Sequence, residues 1–295
     1  MGFFSKLFNR KDKDKSVQKR KEDPNVVNVK SEDDGMKWAI EKSKLTLHYF
    51  EECLVSPKPN QQYFSIKVKI DDGTNIEHIW LTEPSFDEEG NLFGVVGNQP
   101  LDVKNVALHQ KIGIDRNLIS DWMIIQNGRL IGGYTIRAIR DHLSGNELAN
   151  FDRGLGGMMV DDGEDYFLPS NKTPEGAIIQ IEEAFNQDDL EKAMSCKDFN
   201  IEAKLMLEKL GKGIHDEEVL SKTAEVLKLS FIKSIQENGM PKFQGIKRAF
   251  PKREKINDHH MIITEICYYP DGGKSSQRMN TYLTEDGWKV MGPEN

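Results

Sequence analysis

The chain has 295 residues, 37% hydrophobic and 30% charged, which is longer than one hydrophobic core usually serves and apolar enough for two modest cores. Its net charge of −8 argues against nucleic acid as a partner, because phosphate binding needs a concentrated basic face. No apolar run approaches the roughly 20 residues of a membrane span, and Cys53, Cys196 and Cys267 lie far apart without CxxC spacing, so they read as reduced thiols of a cytosolic protein.

Residues 1–32 form a separate compositional block. Phe3, Phe4, Leu7 and Phe8 fall on one helical face, and Lys6, Arg10, Lys11, Lys13, Lys15, Lys19, Arg20 and Lys21 surround or follow them. Two readings fit: a disordered charged leader, or a weak peripheral membrane contact through residues 1–20, since an apolar patch beside a basic run suits an interface. A signal peptide does not fit, because no longer apolar core follows.

Residues 33–141 read as an α+β domain. Asp33 and Asp34 cap a helix from about Met36 to Leu54, which Pro57 and Pro59 end. Alternation over Tyr63–Ile70 predicts a half-buried strand, and Asp71-Asp72-Gly73-Thr74 turns it into a returning strand at Glu77–Leu81. Short strands are expected at Leu92–Val96, around Val103–Leu108, at Lys111–Ile114, at Asp121–Gln126 and along Arg129–Ile139. The result is a small bent antiparallel sheet or partly open barrel packed by the leading helix, with Gly132-Gly133 letting a strand kink or a backbone approach closely.

The densest signal is Ser120-Asp121-Trp122-Met123 followed by Gly132-Gly133-Tyr134-Thr135-Ile136-Arg137. With Trp38-Ala39-Ile40, the Phe64–Val68 strand, Glu77-His78-Ile79-Trp80, and Gly94 with Asn98 and Pro100, this ordered series resembles the YegJ-like family of bacterial domains of unknown function, which implies no activity. Three roles are open for His78, Trp80, Asp121, Trp122, Gly133, Tyr134 and Arg137. The structural role has Asp121 accepting backbone hydrogen bonds, Trp80 and Trp122 filling a core, and Arg137 pairing with Asp121. The others are a ligand or peptide groove, and acid–base chemistry by His78 with Asp121.

From 142 to 172 the periodicity breaks down, and the glycines at 154–157 do not form a nucleotide fingerprint. Residues 173–295 then run helices first and strands after. Thr173-Pro174-Glu175 opens a helix with Ile178, Ile181 and Phe185 along one stripe. Helices over Asp188–Ser195 and Ile201–Leu210 follow, then a long one from Asp216 to about Asn238. Strands are expected at Phe243–Phe250, His260–Tyr269, Gln277–Thr284 and Gly287–Met291.

This half resembles the nuclear-transport-factor-2-like (NTF2-like) cone, in which helices close a bent sheet around a pocket; such folds serve as enzymes, ligand binders, dimerisation modules and immunity proteins. Glu265 is the candidate buried acid of that pocket, and Arg278 and Tyr282, sharing a face, are candidate polar lining. The competing reading makes all three outward positions of a half-wet sheet. The seven histidines show no metal-ligand spacing. The whole reads as a bacterial two-domain protein that is not evidently an enzyme and needs no cofactor or metal. Its expected partner is another protein, a basic one given the acidic balance, and a toxin-neutralising or accessory role fits. A small-molecule pocket in the second half is the alternative.

Overall fold

The computed structural model describes residues 34–160, 163–211 and 216–294; the basic leader, its proposed membrane contact and Asp33 lie outside these. The chain divides into two compact units, up to Glu164 and from Asp165.

The first unit begins with two helices, α1 (Asp34–Leu45) and α2 (Leu47–Val55), rather than the single one expected. Thr46 sits at the break. Its hydroxyl donates to the Lys42 carbonyl (2.8 Å), and the Trp122 indole N–H donates to the Ser43 carbonyl (3.0 Å). A side-chain hydroxyl that bonds one turn back competes with the helix and bends it, and a long-range indole fixes the bend. The sequence around Thr46 carries no proline or glycine to announce it.

Strands β1 (Gln61–Asp71), β2 (Ile76–Phe86), β3 (Leu92–Val96), β4 (Lys111–Gly113), β5 (Ile119–Gln126) and β6 (Arg129–Gly132) form an open antiparallel sheet in the order β4-β3-β2-β1-β5-β6. It is bent and not closed. One face carries Ile66, Val68, Ile79, Leu81, Trp122 and Ile124, all buried, and Phe50 of α2 packs on Trp122 with ring centroids 5.7 Å apart. The other face carries Trp80 and Met123, which cluster with Ile125, Leu130, Ile136, Leu155 and Met158.

One expected strand is absent and another is cut short. Residues 103–108 are irregular, because side chains hold their approach: Glu77 accepts from the N–H groups of Leu101 and Asp102, and Asp72 from that of Lys104. The run Arg129–Ile139 is a strand only to Gly132; from Tyr134 to Asp141 it is a helix, α3. The glycine pair does not kink a strand but ends one. Both glycines have positive φ (69° and 62°). A Cβ at Gly132 would lie 2.5 Å from the Trp122 ring and carbonyl oxygen, and one at Gly133 2.6 Å from Leu130, so only glycine fits at either position. Beyond α3, the stretch expected to be irregular contains α4 (Gly145–Gly154), and Met159 bridges Arg129 on the sheet edge.

In the second unit come α5 (Pro174–Asn186), α6 (Leu190–Ser195), α7 (Phe199–Lys209) and α8 (Glu217–Asn238), then β7 (Lys247–Asn257), β8 (His260–Tyr268), β9 (Lys274–Thr284) and β10 (Gly287–Pro293). The strands form an antiparallel meander ordered β10-β9-β8-β7. Thr173, Asp189, Asp198 and Asp216 each cap the helix that follows by accepting a backbone N–H. The first strand starts four residues later than the expected Phe243 and runs on to Asn257, where Lys255 and Ile256 remain exposed.

Candidate functional site

The fingerprint of the first unit is organised by a register irregularity. Lys67 of β1 stands opposite Trp80 of β2 and Asp121 of β5, and the next β1 residue, Val68, pairs with Ile119. Ser120 is therefore an extra residue, a β-bulge, of the kind that re-aims side chains at functional positions. Strict alternation would send Ser120 and Asp121 to opposite faces. Here both reach the residues around Lys67.

Asp121 is fully buried. One carboxylate oxygen accepts from the N–H groups of Trp122 (2.9 Å) and Tyr134 (3.0 Å), the other from the N–H (2.8 Å) and hydroxyl (2.6 Å) of Thr135. Tyr134 and Thr135 are the first residues of α3, whose N-cap is the side-chain-less Gly133. Asp121 thus does from across the sheet what a capping residue does locally. Burial pushes its pKa up, while the Thr135 hydroxyl, Lys67 and the backbone donors pull it down.

The other candidates of this unit are also occupied. Arg137 does not pair with Asp121: its guanidinium donates to the Gly132 (2.9 Å) and Leu130 (2.6 Å) carbonyls, because Asp121 already has four donors and Arg137 lies one turn into α3, beside the end of β6. Trp122 is wholly buried, Tyr134 stacks edge-on against it at 5.6 Å, and Trp80 belongs to the second-face core. His78 stands apart from Asp121. Its Nδ1 lies 2.8 Å from the Ser120 hydroxyl, which is itself 3.3 Å from the Lys67 carbonyl oxygen. His78 is exposed at the sheet surface, yet desolvation of its ring, then Lys67 and Lys69, push its pKa down to about 4. No His–Asp proton-transfer pair forms. Lys67, Ser120 and Thr135 belong to the fingerprint without standing among its candidate site residues; strand register brings in Lys67 and Ser120, and the helix start at Tyr134 brings in Thr135.

In the second unit Glu265 is fully buried, facing α5. Glu175 and Glu182, seven residues apart on one side of α5, reach two arginines of β7. Glu175 forms a two-pronged pair with Arg253 (2.6 and 2.7 Å). Arg248 Nε lies 2.5 Å from Glu182 and 3.2 Å from Glu265, contacts of charge without hydrogen-bond alignment. Glu265 also accepts from the Gln277 amide at 2.6 Å. Two acids thus share one guanidinium out of water, and burial with the charge of Glu265 pushes Glu182 up to about 8. The neighbouring Cys267 thiol is pushed up to about 11, chiefly by burial, which makes it a poor nucleophile.

The structure does not bring Arg278 and Tyr282 to Glu265. They pair with Thr264 and His260 of β8, so they lie on the opposite face from Glu265. Arg278 forms ion pairs with Glu254 and Glu294, and Tyr282 stacks on His260 at 4.2 Å with its hydroxyl 2.9 Å from Nδ1. A separate pocket of about 170 Å³ is lined by Asn171, Ala177, Gln180, Cys196, Trp288 and Lys289, among others. Among the described residues no three His, Cys, Asp or Glu side chains gather as a metal site, and no helix is long and apolar enough to cross a membrane.

Residues 33–158 match the model of a family described as an uncharacterized protein conserved in bacteria (DUF2314). The chain is 38% identical to the uncharacterized protein YegJ of Escherichia coli (strain K12) over 28% of this chain and 53% of that protein. It is 26% identical to a "Putative ankyrin repeat protein" of Neisseria meningitidis serogroup B over 58% of this chain and 66% of that protein. The matches span between about half and just under two thirds of these relatives. No solved structure matches. The first unit is therefore similar to a YegJ-like bacterial domain, and the matched segment runs past α3 to include α4, whose following residues Leu155 and Met158 complete the second-face core.

Proposed function

We propose that the chain is a non-catalytic binding protein of bacterial type whose partner is another protein, and that the outer face of α8 is its contact surface. The observation that carries this is a stripe of apolar side chains on α8 that stays exposed among the described residues. Val219, Val226 and Leu229 are 45%, 61% and 58% exposed, while Ala224, on the opposite side of the helix, is buried. Helical spacing puts the three along one line. Met206 and Leu210, in the last turn of α7 and just after it, are exposed as well. Exposed apolar side chains so aligned are the mark of an interaction surface. Glu217, Glu218 and Glu225 flank the stripe in sequence, and with the chain's net charge of −8 they suit a basic partner. The fingerprint adds support from the other side: Asp121 and Arg137, its two charged candidates, are spent on holding backbone. A cytosolic toxin-neutralising or accessory factor is the class of protein we favour.

A test follows from the stripe. The full chain and its V226E/L229E variant, with equal melting temperatures, are compared for recovery of a stoichiometric basic protein from bacterial lysate. Recovery by the wild type and loss by the variant supports the reading; equal recovery removes the surface. A second reading takes the last unit as an NTF2-like cone with a small-molecule pocket, favoured by the 170 Å³ pocket beside Trp288 and Lys289. Stabilisation of the wild type by a metabolite, without any captured protein, would put it first.

A further inference from the structure

We propose that the polar end of the first unit's sheet, where β1, β2 and β5 meet, binds a small oxyanion (a phosphate or a carboxylate group) through His78, Lys69 and Lys67. Antiparallel pairing sets Lys69 directly opposite His78, and Lys67 two residues along the same face. The bulge brings Ser120 to the His78 ring. Three nitrogen groups able to carry positive charge thus share one end of a sheet face, where buried Asp121 offsets the charge of Lys67 and no described acid pairs with Lys69. Lys69 makes no hydrogen bond or ion pair with any described residue. Lys67 has one long contact, 3.4 Å to the Thr135 hydroxyl, and lies 5.7 Å from the Trp80 ring centroid. An ammonium carries three donors, so both lysines have donors to spare.

The acids nearby are engaged elsewhere. Asp121 faces Lys67 but is fully buried and already accepts four hydrogen bonds. Asp71, further along the same face, accepts from the Gly73 N–H at 2.8 Å. Lys69, half-buried without an ion-pair partner among the described residues, adds its charge to that of Lys67 along the same face at an electrostatic cost, and an anion beside them relieves that cost. His78 supplies directionality. The Ser120 hydroxyl has one proton, with the Lys67 carbonyl within reach of it, so Nδ1 donates to Ser120 and Nε2 is the ring nitrogen left for a ligand. In the free protein desolvation, with the two lysines adding to it, keeps this ring uncharged at neutral pH. A bound oxyanion reverses that balance and favours imidazolium, whose Nε2–H then donates to it.

This site does not depend on the α8 surface, and it is tested by a different readout. The full chain with isotope-labelled histidine is titrated by NMR in sodium chloride, sodium acetate and sodium phosphate at matched ionic strength, with His78 assigned by loss of its signal in His78→Gln. We expect the His78 pKa to rise by about one unit or more in phosphate or acetate relative to chloride, a coupling of about tenfold. The rise is expected to vanish in Lys69→Gln and persist in Lys69→Arg. The anion that moves His78 assigns the ligand as phosphate or carboxylate. Identical titration in all three salts overturns the proposal, as does an undiminished rise in a folded Lys69→Gln.

Discussion

Asp121 in the first unit and Glu182 with Glu265 in the second are all withdrawn from water, yet their neighbours differ in kind. All four hydrogen bonds to Asp121 come from uncharged donors, three backbone N–H groups and a hydroxyl, two of those N–H groups belonging to the opening turn of α3, and Lys67 adds only a more distant charge. Glu182 and Glu265 meet a full opposite charge, Arg248, but two acids share it. The first arrangement is saturated and ties a helix to a sheet. The second holds one more acid than base, and the molecule answers by raising the affinity of Glu182 for a proton. A buried charge that satisfies many donors is a structural clamp, whereas a buried charge pair with a surplus acid is pH-sensitive.

The comparison can be broken at its strongest point first. Asp121→Ala leaves the amides of Tyr134 and Thr135 without an acceptor, and we expect a loss of about 3–5 kcal/mol in unfolding free energy from urea denaturation. A loss below about 1 kcal/mol would show that α3 needs no acceptor from β5.

At any one pH step a smaller effect is expected from Glu182. Its folded pKa of about 8 stands above the ordinary glutamate value, so the folded state binds the extra proton. Stability from this group is then present below the unfolded pKa and is lost as pH rises from about 4.5 to 8, with a slope of at most about 1.4 kcal/mol per pH unit. Glu182→Gln is expected to abolish that fall, so the wild-type minus variant difference should decline with pH across this window. A difference independent of pH over this window would mean that Arg248 neutralises both acids. The smallest expected effect is at Glu77, which holds the N–H groups of Leu101 and Asp102. Glu77→Ala should cost about 1 kcal/mol, comparable to removal of a helix cap, and should leave the second unit's transition unmoved.

The two regions were also unequally legible in the chain. Asp121 as a backbone acceptor and Trp122 as a core residue follow from Asp121-Trp122 at a strand start, since a short acid beside a large apolar ring has few other uses there. Gly132-Gly133 announces a special backbone. What the sequence could not reveal is that the chain beyond the glycines turns helical. Thr135-Ile136-Arg137 has the alternation of a strand, and the acceptor that favours the helix is contributed from thirteen residues away. The bulge at Ser120 was hidden for the same reason, because it exists only against β1. In the second unit Glu265 is readable as a buried acid from its apolar neighbours on β8. Its partners are not: Arg248 and Glu182 come from another strand and a helix, and the one local hint was Glu175 and Glu182 recurring on the buried side of α5.

The account turns on Asp121 being a clamp rather than a reagent, and hydrogen exchange at the Tyr134 and Thr135 amides tests that most directly. In the wild type both should exchange only with global unfolding of the first unit. In Asp121→Asn, which keeps the shape but exchanges one acceptor oxygen for a donor, they should exchange by local opening, at least tenfold faster than the amides of β1. Equal protection of these two amides in both proteins would contradict the account.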